Sequence, residues 1–369
     1  NQLSTICLRK KLAKAWEGKP FFVKKDSEES LAETMLLAST LQPTDSQVDG
    51  QTWHDLDLYR VFDQLNYTQS SIGAEALYQR MRLIKFQPDA SLQELEDFFD
   101  HHPDLRLKVQ VVMNQLGKKN HNMARSIVAN PGKQDSRIYL SLYIFLACLP
   151  VFSLFFLPFF KIQAMMVLVA SATFNIIFSS IRNWSNKMRL DRVSYLVRIF
   201  ASAEKLSRLA LPKQEALKQA VQPFKKTKVI SSILQSSTGS SDMEIILIYL
   251  NFLFLIPQIA QVHIYQQVRA HQKEAQETIN LLGELEVAIS LLRHKRDGKL
   301  VCHPCFKQDG GIKGKGIYHP LLTDPVANDV RFEKNMVISG DNASGKSTYL
   351  KMVAIELKFQ QHHFKNPIV

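Results

Sequence analysis

Between Arg137 and Arg182 the only charged residue is Lys161. No other feature of the chain narrows its fold so far. Residues 138–160 and 162–181 contain no Asp, Glu, Lys or Arg, and as helices rising 1.5 Å per residue they would run roughly 34 and 30 Å, each enough to cross the hydrocarbon layer of a bilayer. In water, a helix apolar on every side has to be buried on every side. Two architectures follow. One is a helical hairpin through a membrane, turning at Lys161; the other is a pair of helices buried in a large helical domain, a reading favoured by the interruptions at Pro150 and Pro158. Cations flank the outer ends, Lys133 and Arg137 before and Arg182, Lys187, Arg189 and Arg192 after. The bias of basic residues toward the cytoplasmic side therefore puts both ends in the cytoplasm. The reading taken is a two-helix transmembrane hairpin over 137–183, touching lipid through 138–181 of a cytoplasmic (inner) membrane.

A third apolar stretch, 245–260, contains Asn251 and Pro257. It is expected to be a core helix of the cytosolic part, because it is short for a crossing. The chain's 369 residues, 46% of them apolar, can bury a core and hold more than one domain. Its net charge of +12 suits nucleic acid or an anionic membrane face equally. The four cysteines, at 7, 148, 302 and 305, do not form a secreted disulfide framework. Cys302-His303-Pro304-Cys305 has the look of half a zinc site, but without a second pair to close the shell a plain turn is preferred.

The chemistry lies near the end. Gly340-Asp341-Asn342-Ala343-Ser344-Gly345-Lys346-Ser347-Thr348 fits the phosphate-binding pattern G-x-x-x-x-G-K-[ST]. An apolar run, Met336-Val337-Ile338-Ser339, precedes it as an expected strand, and a helix is expected from Lys346, with Tyr349, Leu350, Val353 and Leu357 at helical spacing. Such a loop curls its backbone amides around phosphate oxygens at the positive end of the following helix. Lys346 is expected to reach the β- and γ-phosphates and counts as the catalytic residue, while Ser347 would ligate Mg²⁺. The expected cofactors are ATP and Mg²⁺.

His319-Pro320-Leu321-Leu322, then Val326-Ala327-Asn328-Asp329, then Asn342 and Ser344-Gly345-Lys346-Ser347-Thr348-Tyr349-Leu350 resemble the ATPase domain of the MutS family. Leu56-Asp57-Leu58, Val61-Phe62, Leu65-Asn66, Thr68, Ser71, Gly73 and Leu77-Tyr78 resemble the opening of that family's core domain, and the branch with membrane segments fits best. The resemblance implies that Val326 and Asn328 join the loop in the nucleotide site, that the site is completed by a second subunit in a homodimer, and that double-stranded DNA, mismatched or branched, is the partner. It does not extend to a mispair-reading wedge. Pro325 stands where the family often carries an aromatic for the base, and the uncharged hairpin occupies the place of the DNA clamp. A Walker B carboxylate is expected beyond Val369, so the chain as given reads as a fragment in which hydrolysis is not expected.

The expected fold is mainly α, helices of the family's core and lever kind with the hairpin among them, followed by the start of an α/β phosphate-loop ATPase domain. The expected segments are a basic opening segment over 1–50, a core-like helical region over 51–136, the hairpin over 137–183, helical core and lever over 184–300, and the ATPase portion over 301–369. In the helical region a break is expected at Gly73, and a capping box at Ser91-Leu92-Gln93-Glu94. Over 272–296, Leu281, Leu285, Ala288 and Leu292 mark a long packed helix. The expected function is a membrane-anchored, DNA-dependent ATPase of the mismatch-repair family. The alternatives are an ABC-like transport or mechanical ATPase with no DNA role and a non-catalytic tethering module.

Overall fold

The computed structural model describes residues 2–18, 24–41, 47–83, 89–131, 137–225, 242–297, 311–333 and 336–361. The Cys302–Cys305 turn lies outside them. The chain is mainly helical. In order come α1 (Gln2–Trp16), α2 (Glu28–Leu41), α3 (Gly50–Asp55), α4 (Leu58–Leu65), α5 (Ser71–Arg82), α6 (Ala90–His101), α7 (Pro103–Leu116), α8 (Ala124–Ala129), α9 (Arg137–Leu206), α10 (Gln214–Val221), α11 (Asp242–Leu253), α12 (Ile256–Ala270) and α13 (Gln272–Arg296). Then follow β1 (Ile312–Ile317), β2 (Asn328–Phe332) and α14 (Lys346–Gln361). Packing divides the chain into two units, one formed by 1–120 with 280–369 and the other by 121–279.

In the first unit, the opening segment is more ordered than its charge suggests. α1 and α2 bury Leu12, Leu31 and Met35, and the Arg106 guanidinium stacks 3.8 Å from the Trp16 ring, a cation–π contact that fixes the end of α1. The core-like region breaks at Asn66–Ser70 instead of at Gly73. Gly73 lies inside the first turn of α5, where its amide donates to the N-cap Ser70 Oγ at 3.3 Å. Its role is close approach: a Cβ there would lie 2.3 Å from Glu286 Oε2 and 2.7 Å from Glu286 Cβ. Farther on, α6 is capped by Asp89 in place of Ser91, the Asp89 carboxylate accepting from the Leu92 amide at 3.3 Å.

Glu286, 3% exposed on α13, ties these elements together. Its carboxylate accepts from the Gln69 amide at 2.6 Å, the Ser70 amide at 3.3 Å and the Ser70 hydroxyl. The free amides at the start of α5 therefore end on a side chain more than two hundred residues away. Lys118, itself buried, lies 3.7 Å from Asp26, and Ser71 Oγ donates to Asp26 at 2.5 Å. Burial outweighs the donors and pushes the Glu286 carboxyl from 4.5 up to about 7. The folded form then holds this proton more tightly than the unfolded chain, so the stabilisation present below pH 4.5 is lost as pH rises through about 7. We expect a fall of about 3 kcal/mol across that window. In Glu286→Gln the dependence should flatten, as measured by denaturant unfolding at stepped pH.

In the second unit, α9 folds back on itself at Lys161. Lys161 has φ +26°, Arg182 Nη2 donates to Tyr143 Oη at 2.7 Å, and Asn175 Nδ2 donates to the Leu146 carbonyl at 2.8 Å. In a straight helix, residues 146 and 175 would stand roughly 43 Å apart. Of the described residues, Ile138–Arg182 is the one helical stretch long and apolar enough to cross a membrane, and only 22% of its most apolar 18-residue window is buried. Phe145, Phe155, Phe159, Ile162 and Met166 are 64, 71, 73, 72 and 67% exposed.

The third apolar stretch is broken. Leu255 has φ +51° and Pro257 opens α12. Leu255 and Val262 pack with Tyr143, Leu146 and Phe178 of the hairpin arms, and Gln258 Nε2 donates to Ser179 Oγ at 3.0 Å. The break is sealed by Asn175, fully buried, whose Nδ2 also donates to the Leu253 carbonyl at 2.9 Å. Each of its acceptors stands four residues before a proline, Leu146 before Pro150 and Leu253 before Pro257. A proline has no N–H to return to the carbonyl four residues back. The two hydrogens of one side-chain amide thus serve both of these carbonyls.

Candidate nucleotide site

β1 and β2 form a two-stranded antiparallel sheet, Ile312 opposite Phe332, Lys313 opposite Arg331, Gly314 opposite Val330 and Ile317 opposite Asn328, with a slip between Gly314 and Ile317. Ile317 and Val330 bury one face of the sheet against Met352 and Val353 of α14. That packing holds the start of α14, and with it the loop, beside the strands. The strand expected at 336–339 is absent. The segment is irregular and Val337 is 94% exposed, because β1 and β2 pair with each other and no described strand offers it a ladder partner. The observed sheet is therefore two-stranded and antiparallel where the start of an α/β domain was expected.

The loop curls as its glycines and spacing require. Ala343 and Gly345 have φ +66° and +85°, the left-handed region that L-residues other than glycine enter at a cost. The Ser344 amide donates to the Asp341 carbonyl at 3.2 Å, and Tyr349 N donates to the Gly345 carbonyl at 2.9 Å as α14 begins. Gly340 is tight: a Cβ there would lie 2.9 Å from Ser344 Oγ. Lys346 folds back into the curl, its Nζ donating to the Gly340 carbonyl at 2.6 Å and the Asp341 carbonyl at 2.5 Å. A cation seated in the loop at the positive end of a helix concentrates positive potential where phosphate oxygens would sit.

A cavity of about 880 Å³ adjoins the loop, within the size range of cofactor pockets. It brings together Gly340, Ser344, Gly345, Lys346 and Thr348 of the loop with Val326 and Asn328. Asn328 Nδ2 donates to the Val326 carbonyl at 2.9 Å, which ties the two together. Asp341, Asn342, Ala343 and Ser347 stand exposed on the loop, outside the lining. Sequence reasoning did not assign Phe332 and Tyr349 to the site. They meet edge to face in the cavity lining, ring centres 6.5 Å apart. Only the register of β2 and the helical phase of α14 bring them together.

His319, 8% exposed, also lines the cavity. Burial, reinforced by the charge of Lys351, holds it below its ordinary value, so it is a neutral imidazole at physiological pH, its Nδ1 accepting from the Leu321 amide at 3.3 Å. On the buried side of α14, burial pushes Glu356 up to about 8. Among the described residues no cluster of His, Cys, Asp or Glu could hold a metal ion. A Mg²⁺ ion here would need the exposed Ser347 hydroxyl and the phosphates themselves.

No family model matches the chain. It is similar to proteins named Endonuclease MutS2, with 29% identity over 93 residues to that of Streptococcus equi subsp. equi, 31% over 93 residues to that of Streptococcus uberis and 30% over 91 residues to that of Streptococcus pyogenes. Each match takes in 24% of this chain and 12% of the relative's length. The similarity is distant and partial, and reaches a MutS-related grouping at most.

Proposed function

We propose that the protein is a MutS-related, membrane-anchored binder of Mg–ATP that acts on double-stranded DNA, and that the intact protein is an ATPase. The observation that carries this reading is the loop 340–348, with Lys346 Nζ drawn into its curl beside a cavity of about 880 Å³. Triphosphate would be held by the loop amides and Lys346, Mg²⁺ by Ser347, with Val326 and Asn328 on the wall nearer the nucleoside. Bound nucleotide supplies a charged group whose presence or hydrolysis can bias the surrounding helices. A homodimer completing the site comes from the family resemblance.

The exposed apolar surface of Ile138–Arg182 supports membrane anchoring, and its flanking cations support a cytoplasmic nucleotide site. The net charge of +12 and the relatives' name, endonuclease, support nucleic acid as the partner.

The test is equilibrium binding of detergent-solubilised protein to homoduplex, mismatched and branched DNA over a salt series, with and without Mg–ATP. We expect affinity that falls steeply with salt and changes with nucleotide. No DNA binding at low salt would sink the DNA reading and leave a membrane ATPase of transport or mechanical type. Binding indifferent to nucleotide in both wild type and Lys346→Ala would point to a tether.

A further inference from the structure

The hairpin does not account for all the apolar surface of the second unit. α11 spans Asp242–Leu253, roughly 18 Å of helix, too short to cross a bilayer on its own. Its outward face presents Ile246, Tyr249 and Leu250, exposed by 54, 58 and 40%, at i, i+3 and i+4 spacing. On a helix facing water this stripe would be polar. Its C-terminal end is held against the hairpin arms, where Asn175 Nδ2 takes the Leu253 carbonyl at 2.9 Å and the Leu146 carbonyl at 2.8 Å. Asn175 precedes Arg182 by seven residues on the returning arm, roughly 10 Å inside the charged base.

We propose that α11 is embedded in the lipid layer beside the hairpin, its Ile246–Tyr249–Leu250 stripe against acyl chains. The inference rests on the membrane reading of Ile138–Arg182 and extends it. Lipid is the occupant because of charge: Arg137 and Arg182 at the base and Lys161 at the turn bound two uncharged arms, and α11 keeps its only charges, Asp242 and Glu244, at its start, a pattern that suits a charged bilayer surface around an apolar interior. The Ile245–Val262 stretch carries no charge either. The helix break also fits. Within hydrocarbon, irregular backbone survives only where protein satisfies its polar groups, and the carbonyls of Leu146 and Leu253 both receive the Asn175 amide.

The test reconstitutes the wild-type protein into phosphatidylethanolamine–phosphatidylglycerol vesicles, photolyses a lipid-soluble aryl diazirine in the bilayer, and maps the carbene adducts by mass spectrometry. Adducts on peptides from both 137–182 and 242–253 are expected, the latter concentrated at Ile246, Tyr249 and Leu250 and at least about fivefold above those on the cytosolic helix 90–101. Adducts on 137–182 with only background on 242–253 would overturn the inference and leave the hairpin reading standing. Background on 137–182 would overturn the hairpin reading, and the shared lipid layer with it.

Discussion

Lys346→Ala should lower the affinity for Mg–ATP by more than about 100-fold. The ammonium of Lys346 reaches the loop carbonyls of Gly340 and Asp341, so it already occupies the hollow where phosphates would bind and would exchange those carbonyls for phosphate oxygens. Charge-assisted hydrogen bonds contribute about 1.5–3 kcal/mol each, and losing two of them corresponds to roughly two to four orders of magnitude in Kd. Fold stability should move by less than about 1 kcal/mol, because the side chain is at the surface. Lys346→Arg should not restore binding, since a planar guanidinium is not the point charge that the curl accommodates. Displacement of a fluorescent ATP analogue, with thermal unfolding as the folding control, checks both statements.

Asn175→Leu should destabilise the second unit by about 2–4 kcal/mol. The substitution keeps the branched heavy-atom skeleton, with bulkier methyls, but strips the donors from two carbonyls, Leu146 and Leu253, at about 1–3 kcal/mol per buried group left unmade. Asn175→Asp tests the mechanism more sharply: size is retained while donors become acceptors facing carbonyl oxygens. It should be at least as damaging as Leu. Thermal unfolding in detergent reads the effect as a drop of about 5–10 °C for a unit of this size. A shift under 1 °C in both variants would mean that the amide bridge contributes nothing.

What could be read from the sequence was local. The uncharged stretches on either side of Lys161 announced a pair of long apolar helices, and the chain does turn back at that residue. The loop pattern gave the left-handed backbone at Gly345 and the helix that follows it, and the apolar spacing of 272–296 gave α13.

Pairings over long sequence distance were hidden. Gly73 looked like a helix breaker because its partner, Glu286, is remote in sequence; the missing Cβ makes room for that carboxylate. Asn175 gave no signal at all, since its meaning depends on two prolines that become its neighbours only when three helices meet. Strand propensity at 336–339 was real, but a strand needs a partner, and the described residues offer none. Basic residues obscured the helices of the opening segment, which bury Leu12, Leu31 and Met35 while Ile6 and Leu36 stay exposed. In the candidate site, the glycines and Lys346 were legible because the loop is contiguous. The Phe332–Tyr349 pair was not, because it depends on how β2 and α14 pack.

The measurement that bears most directly on the account is calorimetric titration of the wild-type protein with ATP in the presence and absence of Mg²⁺. The account predicts saturable binding of one nucleotide per chain that is tighter with Mg²⁺ and is displaced by inorganic triphosphate, since the proposed contacts of the loop are to phosphates and not to a base. No saturable binding up to millimolar Mg–ATP, from protein shown to be folded, would contradict it.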